Sequence, residues 1–401
     1  MRKLSWTLII AIYFCVISSA QKEVKRPYLV VFSFDGFRWD YPDSFPTPNF
    51  HFIFKYGVRA KSLIPVFPTV TFPNHYSIAT GLYPDHHGII NNNFYASDLK
   101  MEYKFGNTQS VEDAKFYWGD PIWITAKKQN VRSAAYFWVG SEVPIEGLRP
   151  DFWKKYNDGS SFEQRIDTVI EWLKLADSLR PHLIMAYFNQ PDHLTHSTGP
   201  FGKGVKDMIM KLDSLTGDFL VKLKQLPIHD QVNFIIVSDH GMEPVSDTKD
   251  IFLDNYFPKS WCQKIYGHTP MFTFDAKKGY ADSIVLRLSK AEHLRVWKKQ
   301  EIPSRLHFGT NVRINELVVL ADSSYSLVWK GEKLDVAGNH GYDNTNTDMH
   351  GIFFAVGPVF KKGYLQPSFE NVDIYLLMAH ILKLNPAAND GDFSKIENML
   401  K

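Results

Sequence analysis

Acidic residues beside histidines recur along this chain in spacings suited to holding cations. In Asp192-His193-Leu194-Thr195-His196 a carboxylate and an imidazole stand four residues apart. One helical turn puts Asp192 and His196 on a common face and sends His193 elsewhere. In Asp239-His240-Gly241 the two donor types are adjacent. Both reach one ion only from an irregular loop, which the glycine permits. Asp35 follows an apolar run, and His340, in Gly338-Asn339-His340-Gly341, is placed to complete a second ion's shell. A single Asp at the end of a strand is ordinarily a turn or helix cap. Carboxylate and imidazole together instead suit zinc or a similar divalent ion.

Two such ions side by side hold the attacking and leaving oxygens of an in-line displacement at phosphorus. That chemistry needs a nucleophile, and Pro68-Thr69-Val70-Thr71-Phe72-Pro73-Asn74-His75 offers Thr71. Pro73 forces a tight entry, and Asn74-His75 are expected to open a helix. A hydroxyl at that turn faces a helix N-terminus, which favours an anionic oxygen and a bound phosphate. The competing assignment makes Thr71 only an N-terminal cap.

These residues need elements to bring them together. Apolar, β-branched or aromatic runs at Leu29 to Phe34, Ala134 to Trp138, Leu183 to Phe188, Val232 to Val237 and Ile352 to Val356 predict strands. Helices are expected at Pro48 to Tyr56, Phe162 to Ala176, Val205 to Lys224 and Val372 to Leu384. The alternation argues for an α/β fold, a mainly parallel central sheet flanked by helices. Asp35, Asp192 and Asp239 then stand at or near the carboxyl ends of strands, where open parallel sheets bind ligands. Between about 252 and 336 the pattern changes. Strands at Met271 to Phe274, Ser283 to Leu288, Glu316 to Leu320 and Tyr325 to Val328 are expected around one helix, Lys290 to Lys298, as a smaller inserted α+β lobe. The alternative is that these strands extend the main sheet.

The 401 residues allow one large catalytic domain with an insertion. A formal charge of +2 and the absence of dense Lys/Arg runs argue against binding a nucleic-acid polymer. Arg2-Lys3, the apolar stretch from Trp6 to Ile17 and Ser18-Ser19-Ala20 read as a signal peptide, residues 1–20, leaving a mature chain of 21–401. The stretch is shorter than the roughly 20 residues that span a bilayer, so stable membrane insertion is not expected. Phe14 stands where a lipid-attachment signal at Cys15 needs a small residue. Cys262 then remains the sole cysteine, which forbids an intramolecular disulfide. With no Asn-x-Ser/Thr site either, a bacterial periplasmic or secreted location fits better than an animal extracellular one.

The segments Val31-Phe32-Ser33-Phe34-Asp35-Gly36, Pro68 to His75, Gly81-Leu82-Tyr83-Pro84, His87-Gly88-Ile89-Ile90, Pro191 to His196, Ser238-Asp239-His240-Gly241-Met242 and His340-Gly341 are together similar to the nucleotide pyrophosphatase/phosphodiesterase family of the alkaline phosphatase superfamily. The resemblance is to a bacterial-type single catalytic domain, without the cysteine-rich and nuclease-like domains of the animal enzymes. It implies two zinc ions, one held by Asp35, Asp239, His240 and the Thr71 hydroxyl, the other by Asp192, His196 and His340. It implies attack by Thr71 through a phosphothreonine intermediate, with Asn92 donating a hydrogen bond to a phosphate oxygen. The run Asn91-Asn92-Asn93 leaves room for a slip of one position. Phe72 and Tyr156 match the pair that stacks on a nucleotide base, and Trp138 and Glu142 are expected to line the same pocket. Packing in the core, for Phe72, and surface exposure, for Tyr156, are the plainer assignments.

The implied substrate is a nucleotide or dinucleotide cleaved to a nucleoside 5′-monophosphate. A choline phospholipid or glycerophosphocholine is the rival, requiring a cage for a trimethylammonium group. An inactive metal-binding protein of the same fold is a second alternative, and a phosphomonoesterase or sulfatase a third. Oligomeric state is not legible.

Overall fold

The structure, a computed structural model, describes residues 26–401. The expected leader and Cys15 lie outside them. Twelve strands matter to the site: β1 (Tyr28–Phe34), β2 (Val58–Ala60), β3 (Ser133–Tyr136), β4 (Phe152–Lys154), β5 (Leu183–Phe188), β6 (Val232–Val237), β7 (Cys262–His268), β8 (Met271–Ala276), β9 (Leu294–Lys298), β10 (Leu317–Ala321), β11 (Phe353–Val356) and β12 (Tyr364–Gln366). Eight form the central sheet in the order β12-β2-β11-β6-β1-β5-β3-β4. Only β11 runs antiparallel to its neighbours β6 and β2; the other pairings are parallel. β1 lies between β5 and β6, so Asp35 emerges beside the segments that carry Asp192 and Asp239.

β1 reads Tyr-Leu-Val-Val-Phe-Ser-Phe with every residue buried. Such a strand needs cover on both faces. Val30, Phe32 and Phe34 point into a cluster with α1 (Pro48–Tyr56), α3 (Phe162–Lys174) and α5 (Val205–Lys224). Leu29 and Val31 point the other way, toward α2 (Thr71–Thr80) and α7 (Asp373–Ile381). The expected strand from Ala134 to Trp138 stops at Tyr136, because Phe137 takes φ 68 and turns the chain out of the sheet. α2 begins at Thr71, three residues earlier than expected, and carries Pro73 in its first turn, where a missing N–H costs nothing.

In the 252–336 region two assignments are overturned. Ser283 to Leu288 belongs to a helix, α6 (Ala281–Leu288), and Leu294–Lys298 is a strand where a helix was expected at Lys290 to Lys298. Within α6, Ile284 and Leu288 are buried and Leu286 is 63% exposed, a spacing of four that only a helix produces. β9 is instead captured by β10, with Leu294 opposite Ala321 and Val296 opposite Val319. The sheet β7-β8-β10-β9 is antiparallel throughout and joins no strand of the central sheet. One of its faces, through Phe272, Phe274, Leu317 and Val319, covers α6; Met271, Val318 and Leu320 on the other pack into the main core.

Ile284→Ala should cost about 2–5 kcal/mol in denaturant unfolding, and Leu286→Ala within about 0.5 kcal/mol of nothing. Equal losses at the two positions would contradict the helix, because a strand places 284, 286 and 288 on one face.

Candidate active site

Asp35 leaves β1 directly into Gly36, whose φ is 67. A β-carbon there would sit 2.8 Å from the Asp192 β-carbon and 2.9 Å from its Cα, so only glycine lets the two acidic segments touch. The Asp192 amide donates to the Asp35 carbonyl at 3.0 Å, fixing the start of α4 (Asp192–Thr198) against the end of β1. Asp192 and His196 share one face of α4, with Asp192 Oδ1 and His196 Nε2 3.4 Å apart, and His193 is exposed. Asp239 and His240 follow β6 in an irregular turn held by Ser238, whose hydroxyl donates to the His240 carbonyl at 2.6 Å and accepts from the Phe37 amide at 2.9 Å.

All seven expected ligand residues meet in one crevice. His240 Nε2 is 3.1 Å from Asp239 Oδ2, 3.4 Å from Asp35 Oδ1 and 3.2 Å from Thr71 Oγ1. His340 Nε2 is 3.6 Å from Asp192 Oδ1. The donor atoms of Asp35, Asp239 and His240 lie within 4.8 Å of one another, and so do those of Asp192, His240 and His340. His240 and His340 stack at 3.7 Å, so two cation positions would share a wall of imidazole. His196 reaches the second group through Asp192, its ring 5.0 Å from that of His340.

The donor atoms are presented in a uniform way. His196 Nδ1 is 3.0 Å from the Gly338 carbonyl, His240 Nδ1 2.8 Å from that of Gly241, and His340 Nδ1 2.9 Å from that of Thr69. A carbonyl only accepts, so each Nδ1 carries the proton and each Nε2 keeps its lone pair. Asp239 Oδ1 accepts from the Gly36 amide at 3.1 Å, and Asp35 Oδ2 from the Tyr187 hydroxyl at 2.5 Å. Their other oxygens, Asp239 Oδ2 and Asp35 Oδ1, are buried without a hydrogen-bond partner, as is Asp192 Oδ1. Buried orphan acceptors of this kind are rare. Three of them, turned toward three imidazole lone pairs, fit divalent cations that prefer oxygen and nitrogen donors.

Electrostatics agree with that fit. Burial, then repulsion from Asp192, raises Asp35; burial, then Asp35 and Asp192, raises Asp239; burial alone raises Asp192 to about 7. Burial pushes His240 down to about 3 and also lowers His196 and His340, so all three are neutral and able to bind metal near neutral pH.

Thr71 heads α2. The cap position is Val70, which makes no side-chain cap, and Thr71 is the first helical residue, so the assignment of Thr71 as a mere cap does not hold. The loop before it is pinned by Asn74, whose Oδ1 accepts from Val66 N and whose Nδ2 donates to the Pro68 and Val70 carbonyls. Thr69 joins this loop to the His340 segment: its hydroxyl donates to the Tyr342 carbonyl at 2.9 Å and accepts from the Gly341 amide at 3.0 Å. Asn92 is the asparagine that touches the helix start, accepting from the Phe72 amide through Oδ1 at 2.9 Å; Asn91 instead accepts from the Asn92 amide, and Asn93 pairs in a hairpin.

Phe72 is half-buried, its ring 6.2 Å from Tyr103 and 6.0 Å from Phe105. Tyr156 is 45% exposed and lies 6.4 Å from Tyr187 and 5.1 Å from Phe137. Its amide donates to Glu142 Oε1 at 2.7 Å, so Glu142 anchors the loop that carries Tyr156. Trp138 does not line a pocket. It is 1% exposed, and its indole N–H donates to the His75 carbonyl at 3.0 Å, bracing α2 from behind. Sequence reading missed Tyr187, Thr69 and His75. His75 is fully buried between Ser33 Oγ, 2.8 Å from Nε2, and Asp239 Oδ2, 3.3 Å from Nδ1.

The family model "Type I phosphodiesterase / nucleotide pyrophosphatase" matches residues 29–343. The chain is 38% identical over 391 residues to human ectonucleotide pyrophosphatase/phosphodiesterase family member 1, covering 94% of this chain and 42% of that protein. It is 37% identical to the venom phosphodiesterase of Naja atra, covering 93% and 46%, and 35% identical to human family member 5, covering 95% and 79%. It thus spans under half the length of the first two. Among solved structures, an inactive Thr-to-Ala variant of murine family member 5 in complex with AMP superposes with TM-score 0.89 at 35% identity, covering 94% of this chain and all of that one. The chain belongs to the type I phosphodiesterase/nucleotide pyrophosphatase family, and its fold is alkaline phosphatase-like.

The raised carboxylates define a pH test. Their folded values exceed the unfolded value of about 4, so the metal-free fold is favoured below that pH and loses stability as pH rises through the raised values. Bound cations replace those protons. Added zinc should therefore raise the thermal midpoint more at about pH 8 than at about pH 5, with proton release in unbuffered titration. An equal rise at both, without proton release, would contradict the assignment.

Proposed function

We propose that this protein is a two-zinc hydrolase of nucleotide phosphodiester or pyrophosphate bonds, releasing a nucleoside 5′-monophosphate through a phosphothreonine intermediate on Thr71. The observation that carries the reading is Thr71 Oγ1 at 3.2 Å from His240 Nε2, at the mouth of a crevice holding three orphan carboxylate oxygens. Asp35, Asp239 and His240 would hold one ion beside Thr71, and Asp192, His196 and His340 the other. When bound, such ions lower the pKa of a coordinated hydroxyl and neutralise charge on phosphoryl oxygens.

The chain's own groups supply the rest. Thr71, as the first residue of α2, has an N–H with no acceptor inside the helix, so an anionic oxygen at that position meets a free donor and the positive end of the helix dipole. Asn92, its Oδ1 committed to the Phe72 amide, has Nδ2 left to donate to a phosphate oxygen. Thr71 Oγ gives up its proton to solvent and attacks phosphorus as the bond from phosphorus to the leaving oxygen breaks, the leaving oxygen taking a proton from solvent. Water then attacks the phosphothreonine diester, breaking the bond from phosphorus to Oγ, and one of its protons restores the Thr71 hydroxyl as the nucleoside monophosphate leaves. Phe72 on one side and Tyr156 on the other offer flat faces for a base, a form of stacking that tolerates different bases. The murine relative's complex with AMP supports a nucleotide over a choline ester. No described helix is long and apolar enough to cross a membrane. Export rests on Arg2-Lys3, the apolar stretch and Ala20; a mature mass starting at Gln21 would confirm it, and retention of residues 1–20 would refute it.

Thr71→Ala should lower turnover of a p-nitrophenyl nucleotide ester about a thousandfold or more while leaving zinc content unchanged, with Thr71→Ser recovering part of it. Unaltered turnover would remove Thr71 from the mechanism. Wild-type protein should prefer that ester to p-nitrophenyl phosphorylcholine; turnover of the choline ester alone would overturn the substrate class.

A further inference from the structure

Tyr187 is the penultimate residue of β5, directly opposite Ser33 of β1 and two residues short of the level of Asp35. Its backbone is fixed: the carbonyl accepts from the guanidinium of Arg165 at 2.8 Å, and Arg165 itself is fully buried, its second nitrogen donating to the Ser160 carbonyl in the loop after Tyr156. Its ring meets His75 edge-on at 5.1 Å and Tyr156 at 6.4 Å. The hydroxyl has one partner, Asp35 Oδ2 at 2.5 Å. A phenol ordinarily keeps its proton at neutral pH and a carboxylate oxygen accepts, so the Tyr187 hydroxyl is the donor.

A carboxylate free to rotate can offer either oxygen, or both, to a cation. With Oδ2 turned to the phenol, the oxygen that Asp35 turns to the site is Oδ1, left orphaned 3.4 Å from His240 Nε2. We propose that Tyr187 is a positioning residue that holds Asp35 as a one-oxygen ligand to the cation beside Thr71, while its ring sets the level of Tyr156 at the base-stacking face. This rests on the proposed role of Asp35 as a ligand and adds the residue that enforces its geometry.

Tyr187→Phe removes the donor and keeps the ring. Zinc affinity, read by competition with a chromogenic chelator, should fall about tenfold to a hundredfold, the usual effect of losing such a partner. The metal-free variant should stay folded with a lower thermal midpoint, because Asp35 Oδ2 loses its donor, and KM for the nucleotide ester at saturating zinc should stay within about twofold while Tyr187→Ala, which also loses the ring, raises it. Wild-type zinc affinity in Tyr187→Phe overturns the inference alone, whether or not the midpoint falls. A wild-type protein that takes up no zinc in the same titration removes Asp35 as a ligand, and this inference with it.

Discussion

Three buried carboxylates stand in one crevice: burial raises the proton affinity of all three, Asp192 adds to that of Asp35, and Asp35 and Asp192 add to that of Asp239. In an empty site that arrangement is unfavourable, because burial charges each group for lost hydration and like charges add to the cost. Protons relieve it at low pH; cations relieve it at neutral pH. The fold therefore has to hold the acids rigidly enough that they cannot drift apart when neither is present. It does so with backbone: Gly36 gives one amide to Asp239, the Asp192 amide is spent on the Asp35 carbonyl, and no β-carbon stands between the two acidic segments.

The sheet explains why these segments meet. β1 is central, with β5 and β6 paired to it in parallel register along nearly their whole length, so three strand ends deliver Asp35, Asp192 and Asp239 to the same edge. Phe32 packs among Phe188, Phe219 and Phe234, which ties β1 and its two neighbours to α5. His340 arrives from the far side of the 252–336 region, and the contact that orients it comes from the loop before Thr71, through the Thr69 carbonyl. The loop before Thr71 and the His340 segment are thus tied together at Thr69. The antiparallel sheet β7-β8-β10-β9 lends a face to the main core, so it braces this segment instead of hanging from the domain as a separate body.

Much of this was legible in the sequence because long strands of buried residues and histidines beside acids are unambiguous. β5 and β6 have the bounds that their apolar runs predict, as do α1 and α5. What escaped is equally physical. Ser283 to Leu288 is rich in β-branched and aliphatic residues, and so reads as a strand; its burial at 284 and 288 makes it a helix. Lys290 to Lys298 carries good helix formers, yet the edge of β10 takes Leu294–Lys298 as a strand, tertiary pairing outweighing local preference. Trp138 was expected to line the base pocket, but the chain leaves the sheet at Phe137 and the indole is buried against the His75 carbonyl instead. Tyr187 was hidden inside an apolar run, and only its register against β1 shows that a hydroxyl there lands on Asp35.

The proposed chemistry depends on two cations divided among six side chains, three to each, beside Thr71. Anomalous scattering from zinc-grown crystals tests that directly. It predicts two zinc positions, one about 2 Å from donor atoms of Asp35, Asp239 and His240, the other about 2 Å from those of Asp192, His196 and His340. A single ion bridging His240, His340 and Asp192, or no bound metal at all, would contradict it.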